Sequence, residues 1–416
     1  MKGNTMHSTT TARFGRRSFG LAAVGAFALA ACGSEETAEF EDAGGSSASD
    51  EGGASDGGGA APDATAGLPQ LDAGFTVEDF TKDVTVSDTL QPEKNTVITP
   101  TGTLTIEGLQ ALTSVSAEAV ELDPETGEDG EEAEFAAAEG EVLRAIDLSF
   151  AHDGEDGWGA DDGLPPTDIS LRAGGSQSHL AEITSDYSNR ILVSVPEDGS
   201  SALVVSSEGH DQVVDLLTGE RQADDVAAAY YREDRVQEPH HTFPVSIEPI
   251  PVLYSGDADS EVDATVSFQA TALTLTAWTE GKGWAEPGGA WLEMDWKCET
   301  TIEASLSGIV KAGSFTATAS VAVDEETTTD EVHDDKLLLS PSSNTEERTL
   351  VAAVSADTTA ATVSMSGTFT VEIDGPQDTY TLDGSGEREF STEELTVEFP
   401  LDDAAPAAQP SDGGGS

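Results

Sequence analysis

The sequence predicts an all-β chain that folds as two tandem antiparallel sandwiches. Apolar and polar residues alternate with a period of two along many short segments, which is typical of strands buried on one face. Clusters of Gly, Pro, Asp and Asn separate these segments, as tight turns require. Segments in the second half of the chain also repeat segments of the first half in the same order, which indicates two similar units.

The N-terminal segment predicts export from the cytoplasm. Basic residues precede an apolar run over residues 21–31, and small side chains lead to Cys32. This run is well short of the roughly 20 residues that a membrane-spanning helix needs. Together these features describe a signal peptide over residues 1–31 that is removed from the mature protein.

Two short motifs refine this prediction. Arg16 and Arg17, followed by Ser and Phe, resemble the twin-arginine export motif. The run Leu-Ala-Ala-Cys that ends at Cys32 resembles the lipobox of bacterial lipoproteins. This resemblance implies that Cys32 carries the lipid and anchors the protein on the extracytoplasmic face of the cell membrane. The alternative is an ordinary secretory peptide with an incidental cysteine.

The charge of the chain restricts its partners. The sequence has 18 Lys and Arg against 80 Asp and Glu, which gives a net charge of -62. A surface this acidic repels phosphate backbones and anionic headgroups, so we expect no nucleic-acid partner. The same charge favours solubility, and specific cation binding is the alternative explanation for it.

Acidic, Gly-rich segments flank the folded region. Residues 33–70 contain nine acids, no Lys or Arg, and many Gly, Ser and Ala, a composition that cannot bury a core. We interpret residues 32–70 as the lipidated cysteine with a disordered acidic tether, and residues 403–416 as a disordered tail. Between them we expect one sandwich over residues 71–249 and a second over residues 250–402.

The strand signal is clearest in the segment GSFTATASVAV. One face of this segment carries apolar side chains alone, at Phe315, Ala317, Ala319, Val321 and Val323. The segment ADDVAAAYYREDR, residues 223–235, differs from this pattern. It has acids at its start and arginines at its end, as the helix dipole favours, and therefore predicts a helix.

An internal repeat relates the two halves of the chain. TLTIEGL in the first half resembles TLTAW in the second, and AIDL resembles EMDW. The aligned pairs are Leu104 with Leu273, Ile106 with Leu275, Asp147 with Asp295, Leu148 with Trp296, and Arg221 with Arg388. On this alignment the segment PVSIEP, residues 244–249, closes the first unit.

Motifs that would indicate catalysis are scarce. The sequence has no His-Glu-x-x-His pair, no Walker loop and no Cys-x-x-Cys motif. We therefore expect a non-enzymatic protein, and a catalytic site built from scattered residues is the alternative. Cys298 shares a strand face with Met294 and Trp296, which predicts a buried structural thiol rather than a nucleophile.

A calcium site is the one cofactor hypothesis that the sequence supports. The segment HDGEDGWGADDG places five acids among glycines, at Asp153, Glu155, Asp156, Asp161 and Asp162. Hard oxygen ligands on a pliable loop suit calcium, although the spacing is not that of an EF-hand. The alternative is an acidic loop whose glycines make turns, with no cofactor bound.

An aromatic cluster provides the candidate ligand-binding residues. Four of the five tryptophans are close in sequence, at Trp278, Trp284, Trp291 and Trp296. Strand alternation places Trp296 in the core and Trp291 on the polar face, where it is exposed unless the loop EGKGWAEPGG covers it. If uncovered, Trp291, with Trp284 and Trp278, would offer a platform for sugar rings or for a partner chain.

The architecture as a whole resembles a known class of lipoproteins. Two duplicated all-β units behind a lipobox and an acidic spacer are similar to the tandem immunoglobulin-like, telokin-like sandwich domains of actinobacterial lipoproteins. The resemblance implies a non-catalytic binding or structural module of the cell envelope, with an envelope protein or a cell-wall polymer as partner. The alternative function is carbohydrate or cell-wall recognition through the aromatic face of the second sandwich.

Overall fold

The structure is a computed structural model. It describes residues 67–80, 90–91, 93–120, 133–152, 166–198, 200–304, 310–337, 342–373 and 379–401, with the single residues 65, 82 and 122. Residues 61–416 form one compact unit. Most of its described residues lie in β-strands, which confirms the predicted all-β class.

The strands of the first half span residues 76–215. They are β1 (Thr76–Val77), β2 (Thr96–Thr99), β3 (Gly102–Leu112), β4 (Val115–Ser116), β5 (Glu134–Phe135), β6 (Glu141–His152), β7 (Thr167–Ala173), β8 (Ser176–Ile183), β9 (Tyr187–Pro196), β10 (Ala202–Ser207) and β11 (His210–Asp215). A 3-10 helix covers Glu118–Val120.

The strands of the second half are longer. They are β12 (Val236–Gln237), β13 (His241–Ser246), β14 (Ile250–Tyr254), β15 (Asp257–Thr276), β16 (Trp278–Thr279), β17 (Gly283–Trp284), β18 (Gly289–Ala304), β19 (Val310–Val323), β20 (Glu326–Leu337), β21 (Ser342–Ser355), β22 (Ala360–Ile373), β23 (Tyr380–Leu382), β24 (Glu387–Ser391) and β25 (Leu395–Glu398).

Each half is a sandwich of two antiparallel sheets, and the two sandwiches share one strand order. In the first half one sheet contains β9-β6-β3-β2 and the other β11-β10-β7-β8. In the second half the corresponding runs are β21-β18-β15-β14 and β24-β22-β19-β20. Eight strands therefore correspond one to one in chain order, which confirms the internal repeat and the predicted pair of antiparallel sandwiches.

A β-bulge marks the same place in both halves. Between β3 and β6 the register shifts after the pair Ile106 and Leu148, and between β15 and β18 it shifts after the pair Ala270 and Trp296. Each bulge inserts one extra residue, which is Glu107 in the first half. A one-residue insertion changes which face every later side chain occupies, so a bulge at the same position is a specific shared feature.

The bulges correct part of the sequence alignment. Leu148 and Trp296 occupy equivalent positions, as predicted. The alignments of Leu104 with Leu273 and of Ile106 with Leu275 were wrong, because the residues of β15 equivalent to Leu104 and Ile106 are Phe268 and Ala270. The repeated letters TLT misled those alignments, since Thr and Leu alternate in many half-buried strands.

Two further expectations need correction. The predicted helix over residues 223–235 is a run of turns with one short 3-10 helix, Ala228–Tyr231. The segment 244–249 does not close the first unit, because β13 pairs with β15 along its whole length and places Phe243 opposite Phe268. The second sandwich thus includes residues that precede the predicted boundary at residue 250.

Both sandwiches are filled by apolar side chains from facing sheets. The second has the larger core, in which Phe243, Phe268, Trp296 and Phe369 are almost fully buried. A small third cluster covers the outer face of the β9-β6-β3 sheet, where Leu71 packs with residues of β4, β6 and β9. Leu71 N–H also donates to Ala136 O, and Ala136 N–H donates to Pro69 O, both at 2.9 Å, so the last residues of the predicted tether are already paired with the segment that follows β5.

Candidate functional site

Several predicted site residues lie outside the described part of the chain. These are Arg16, Arg17 and Cys32 of the export and lipidation motifs, and Asp153, Glu155, Asp156, Asp161 and Asp162 of the calcium hypothesis. Among the residues that the structure does describe, no group of three His, Cys, Asp or Glu side chains is placed to hold a metal ion. The lipid anchor and the calcium loop therefore stay predictions.

Trp296 and Trp291 occupy opposite faces of β18, as strand alternation predicts. Trp296 is 1% exposed and packs against Phe268 in the core. Trp291 is half-buried, and its indole Nε1–H donates to Gly283 O at 2.9 Å. Gly283 belongs to the loop EGKGWAEPGG and has a φ of 82°, which favours glycine. This loop thus contacts Trp291. The contact agrees with the alternative in which the loop covers Trp291, and not with an open aromatic face.

Trp284 lies at the contact between the two sandwiches. Its Nε1–H donates to Ser207 O at 3.0 Å, at the end of β10 in the first half. Its ring centroid lies 4.8 Å from that of His210 and 5.8 Å from that of Tyr230. Trp278 is opposite Trp284 in the two-stranded ribbon of β16 and β17 and is half-buried. This ribbon of the second half therefore packs on the β10-β11 hairpin of the first.

His210 extends the same contact through a hydrogen bond to Asp224. Its Nε2 lies 2.7 Å from Asp224 Oδ2. The other oxygen of Asp224 accepts the N–H groups of Val226 at 2.9 Å and Ala227 at 3.3 Å, which fixes the turn before the short 3-10 helix. The carboxylate thus orients the connector, residues 222–235, against the hairpin. The sequence predicts Asp224 at the start of a helix, whereas in the structure its side chain caps a turn.

Tyr231 is the main contact between the connector and the first sandwich. Its hydroxyl accepts the N–H of Ile98 at 3.0 Å and donates to Gln212 Oε1, while Gln212 Nε2 donates back to Ile98 O at 2.7 Å. The Arg221 guanidinium carbon lies 3.1 Å from the centroid of the Tyr231 ring, a cation–π contact. Burial raises the pKa of Tyr231 to about 12, which keeps the phenol neutral and able to donate.

Arg232, the next residue, contacts the second sandwich instead. Its Nη1 donates to Ala356 O at 2.8 Å and to Thr358 O at 2.7 Å. Its Nη2 donates to Phe399 O at 2.8 Å and to Pro400 O at 3.4 Å. The guanidinium group thus binds carbonyls that lie just after the ends of β21 and β25. These hydrogen bonds are charge-assisted, which makes the contact a strong one.

Buried polar groups surround the tryptophan cluster. Burial raises the pKa of Tyr230 to about 12, and Thr276 is its hydrogen-bond partner. Burial also raises the pKa of Glu293, a neighbour of Trp291 on the same strand face, although a hydrogen bond from Thr279 opposes the shift. Tyr230 and Glu293 thus form their hydrogen bonds with residues of the same chain. The tryptophan cluster that they surround is part of the junction between the two sandwiches.

Cys298 is buried, as predicted. It is 2% exposed and lies on the core face of β18. Burial raises the pKa of the thiol to about 11, and Thr300 is its hydrogen-bond partner. A thiol of this kind is poorly ionised at neutral pH, which removes the property that makes a cysteine reactive.

Sequence reasoning missed the residues that join the two halves. Gln212, Tyr231 and Arg232 form that contact, and none belongs to a motif. The available signal was the pair of aromatics followed by arginine, YYR, in the connector between the two repeats. Apolar aromatics in a polar connector indicate a buried surface there, and the short 3-10 helix positions them on it.

Comparisons with known proteins add no homology to this description. No protein-family model matches the chain, and no curated protein matches it significantly. Within the described residues, no helix has the length and hydrophobicity that a bilayer crossing requires.

Proposed function

We propose that the protein is a lipoprotein of the cell membrane that presents two joined β-sandwiches on the extracytoplasmic face, as a non-catalytic binding or structural module of the cell envelope. In this role the twin arginines Arg16 and Arg17 direct export and Cys32 carries the lipid. Residues 33–70 then form the acidic tether between the membrane and the sandwiches.

The N-terminal sequence up to Cys32 carries the anchor in this proposal, and the junction formed by Tyr231 and Arg232 supports the part that concerns two joined sandwiches. The Arg232 guanidinium donates four hydrogen bonds to the second sandwich, and the Tyr231 hydroxyl is bonded to the first. These contacts hold the two sandwiches as parts of one compact unit. A module that acts by presenting surfaces needs fixed relative positions for them, whereas independent domains on a linker would move freely. The buried, poorly ionised Cys298 also supports a role without covalent chemistry.

The alternative of cell-wall recognition by Trp278, Trp284 and Trp291 has less support. The indole N–H groups of Trp284 and Trp291 donate within the chain, and the ring of Trp284 packs on His210. A sugar platform needs an open ring face together with nearby polar groups that are free to bind hydroxyls. In this chain Trp284 packs in the junction between the sandwiches, and Trp291 contacts the loop that covers it.

Lipid labelling in the native cell tests the anchor. Cys32→Ser should abolish incorporation of a fatty-acid label and move the protein out of the membrane fraction. The matched control is Cys298→Ser, which removes the other cysteine and should leave both properties unchanged. Replacing Arg16 and Arg17 together with Lys should leave the precursor in the cytoplasm. Labelling that persists in Cys32→Ser contradicts the proposed anchor.

A further inference from the structure

A cleft opens between the two edge strands of the second sandwich. Among the strands that the structure describes, β20 ends one sheet and β21 ends the other, so each pairs with a neighbour on one side alone. The cleft has a volume of about 530 Å³ and lies between the turn that joins β19 to β20 and the C-terminal part of β21. We call it the edge cleft, and its lining residues include Val321, Val323, Thr328, Ala352 and Val354.

The edge cleft has an apolar floor and an acidic rim. Val321 is 1% exposed and Ala352 4% exposed, and the partly buried Val323 and Val354 extend the same surface. The rim is the turn Asp324, Glu325 and Glu326, whose side chains are all exposed. No Lys or Arg is among the lining residues, each of which the structure describes. The surface therefore suits a ligand with both apolar and cationic groups.

Beside the cleft, the outer edge of β20 carries unpaired backbone groups. Arg348 of β21 donates from Nη1 to Glu331 O and to Asp330 Oδ1, both at 3.2 Å, which ties the two edges together below the cleft. Because Glu331 O points away from β19, the period of two directs the N–H and C=O of Thr329 and Thr327 away as well. These groups have no partner among the described strands, because β20 pairs with β19 alone, and they flank Thr328, which lines the cleft.

We propose that the edge cleft binds an extended segment of a partner protein in which apolar residues alternate with Lys or Arg. The segment adds a strand to the outer edge of β20, its apolar side chains contact Val321 and Val354, and its cations face the acidic rim. Strand addition to an exposed edge is a recurring mode of peptide recognition, in which backbone hydrogen bonds give affinity and alternate side chains give specificity.

Charge selects this occupant over two others. A second copy of the chain has the same net charge of -62, and its β20 would bring Glu326, Asp330 and Glu331 against their equivalents. The chain's own tether, residues 33–70, is acidic and lacks Lys and Arg. Both are repelled by the rim, whereas a basic segment is attracted to it. The inference rests on the proposed binding role and not on the lipid anchor.

A synthetic peptide provides the first test. The peptide Val-Lys-Val-Lys-Val-Lys-Val, labelled with a fluorophore, is titrated with the full chain at physiological salt and followed by fluorescence anisotropy. The control peptide has the same sequence with alternate backbone nitrogens methylated, which keeps its charge and removes its strand-pairing donors. We expect methylation to weaken binding by about tenfold or more, the equivalent of at least one hydrogen bond. Equal binding of the two peptides overturns strand addition.

Paired variants provide the second test. Thr329→Pro removes an outward N–H without removing a bond to β19, and we expect about tenfold weaker binding than in Thr329→Ala, which keeps that N–H. Changing Glu325 and Glu326 to Lys should weaken binding more than changing Glu387 and Glu389, which are exposed on β24 of the same sheet. Thermal melts of all variants verify that each one folds.

The outcomes separate the possible occupants. Binding that is equal in Thr329→Pro and Thr329→Ala means that the peptide is held by general charge attraction, and it overturns the inference. A concentration-dependent dimer in sedimentation that Thr329→Pro abolishes assigns the edge to a second copy and also overturns it. Neither result affects lipid labelling at Cys32, so a failure here is distinguishable from a failure of the proposed anchor.

Discussion

Tyr231 and Arg232 are consecutive in the chain, and their side chains hold different halves of the protein. The Tyr231 hydroxyl is bonded to Ile98 and Gln212 of the first sandwich. The Arg232 guanidinium donates to four carbonyls of the second, including Ala356 O. The peptide bond between them therefore lies at the point where the two sandwiches meet.

Tyr231→Phe tests this junction. The variant keeps the ring beneath Arg221 and removes the hydroxyl, so Ile98 N–H and Gln212 Oε1 lose their partner in a half-buried site. We expect a loss of about 1–3 kcal/mol in the free energy of unfolding, measured with denaturant. Tyr254→Phe is the control, because Tyr254 is 47% exposed, and it should change stability very little. Equal effects of the two substitutions would contradict the clamp.

Two tryptophans on opposite faces of β18 should behave differently. Trp296→Ala removes a fully buried indole, and we expect it to cost about 3–5 kcal/mol. Trp291→Phe keeps an aromatic ring and loses the hydrogen bond to Gly283 O, for which we expect about 1 kcal/mol. Denaturant melts measure both. Sedimentation with purified cell wall that is abolished by Trp291→Phe, with stability unchanged, would support the wall-recognition alternative.

The Cys298 thiol should be inert while the protein is folded. It is 2% exposed, and burial raises its pKa to about 11, so very little thiolate forms at pH 7. In a Cys32→Ser background we expect a thiol reagent to label the protein slowly in buffer and rapidly in denaturant. Rapid stoichiometric labelling of the native protein at pH 7 would show that Cys298 is accessible and would contradict its structural role.

Glu293 gives the protein a defined dependence on pH. Burial raises its pKa above the unfolded value, so its protonated form is favoured in the fold. Its contribution to stability is therefore fully present below about pH 4.3, the ordinary value for glutamate, and is lost as the pH rises through the raised value. We expect Glu293→Gln to raise the melting temperature at pH 7 and to have no such effect at pH 4.

Glu398→Gln is the control for that comparison. Glu398 is exposed on β25, and the same removal of a carboxylate there should change the melting temperature little at either pH. A gain at pH 7 that is as large for Glu398→Gln would mean that reduced net repulsion alone stabilises the acidic chain. The higher melting temperature of Glu293→Gln at pH 7 would then not be caused by the burial of Glu293 beside Thr279.

Alternation predicted the parts of the fold that depend on local sequence. The faces of β18 and β19 follow directly from apolar residues at every second position, so Trp296, Cys298 and Phe315 lie in the core as expected. The presence of two similar units was also recognisable, because similar segments occur in the same order in both halves of the sequence. These features depend on which side chains a strand buries and require no knowledge of distant partners.

The remaining features depend on tertiary contacts. The segment 223–235 has local helix signals, yet Asp224 caps a turn and Tyr231 and Arg232 reach in different directions, which a continuous helix would prevent. The pairing of β13 with β15 joins segments that are distant in sequence, so no pattern within residues 244–249 reveals it. The bulge at Glu107 was hidden because a single extra residue does not disturb the composition of a strand.

That bulge has a consequence for any exchange of strands between the two halves. Both ladders carry the extra residue on the same rung, opposite Asp147 in one half and Asp295 in the other. A segment of β3 that replaces the corresponding segment of β15 therefore keeps its inward and outward side chains on the correct faces, provided that Glu107 is exchanged together with Thr271.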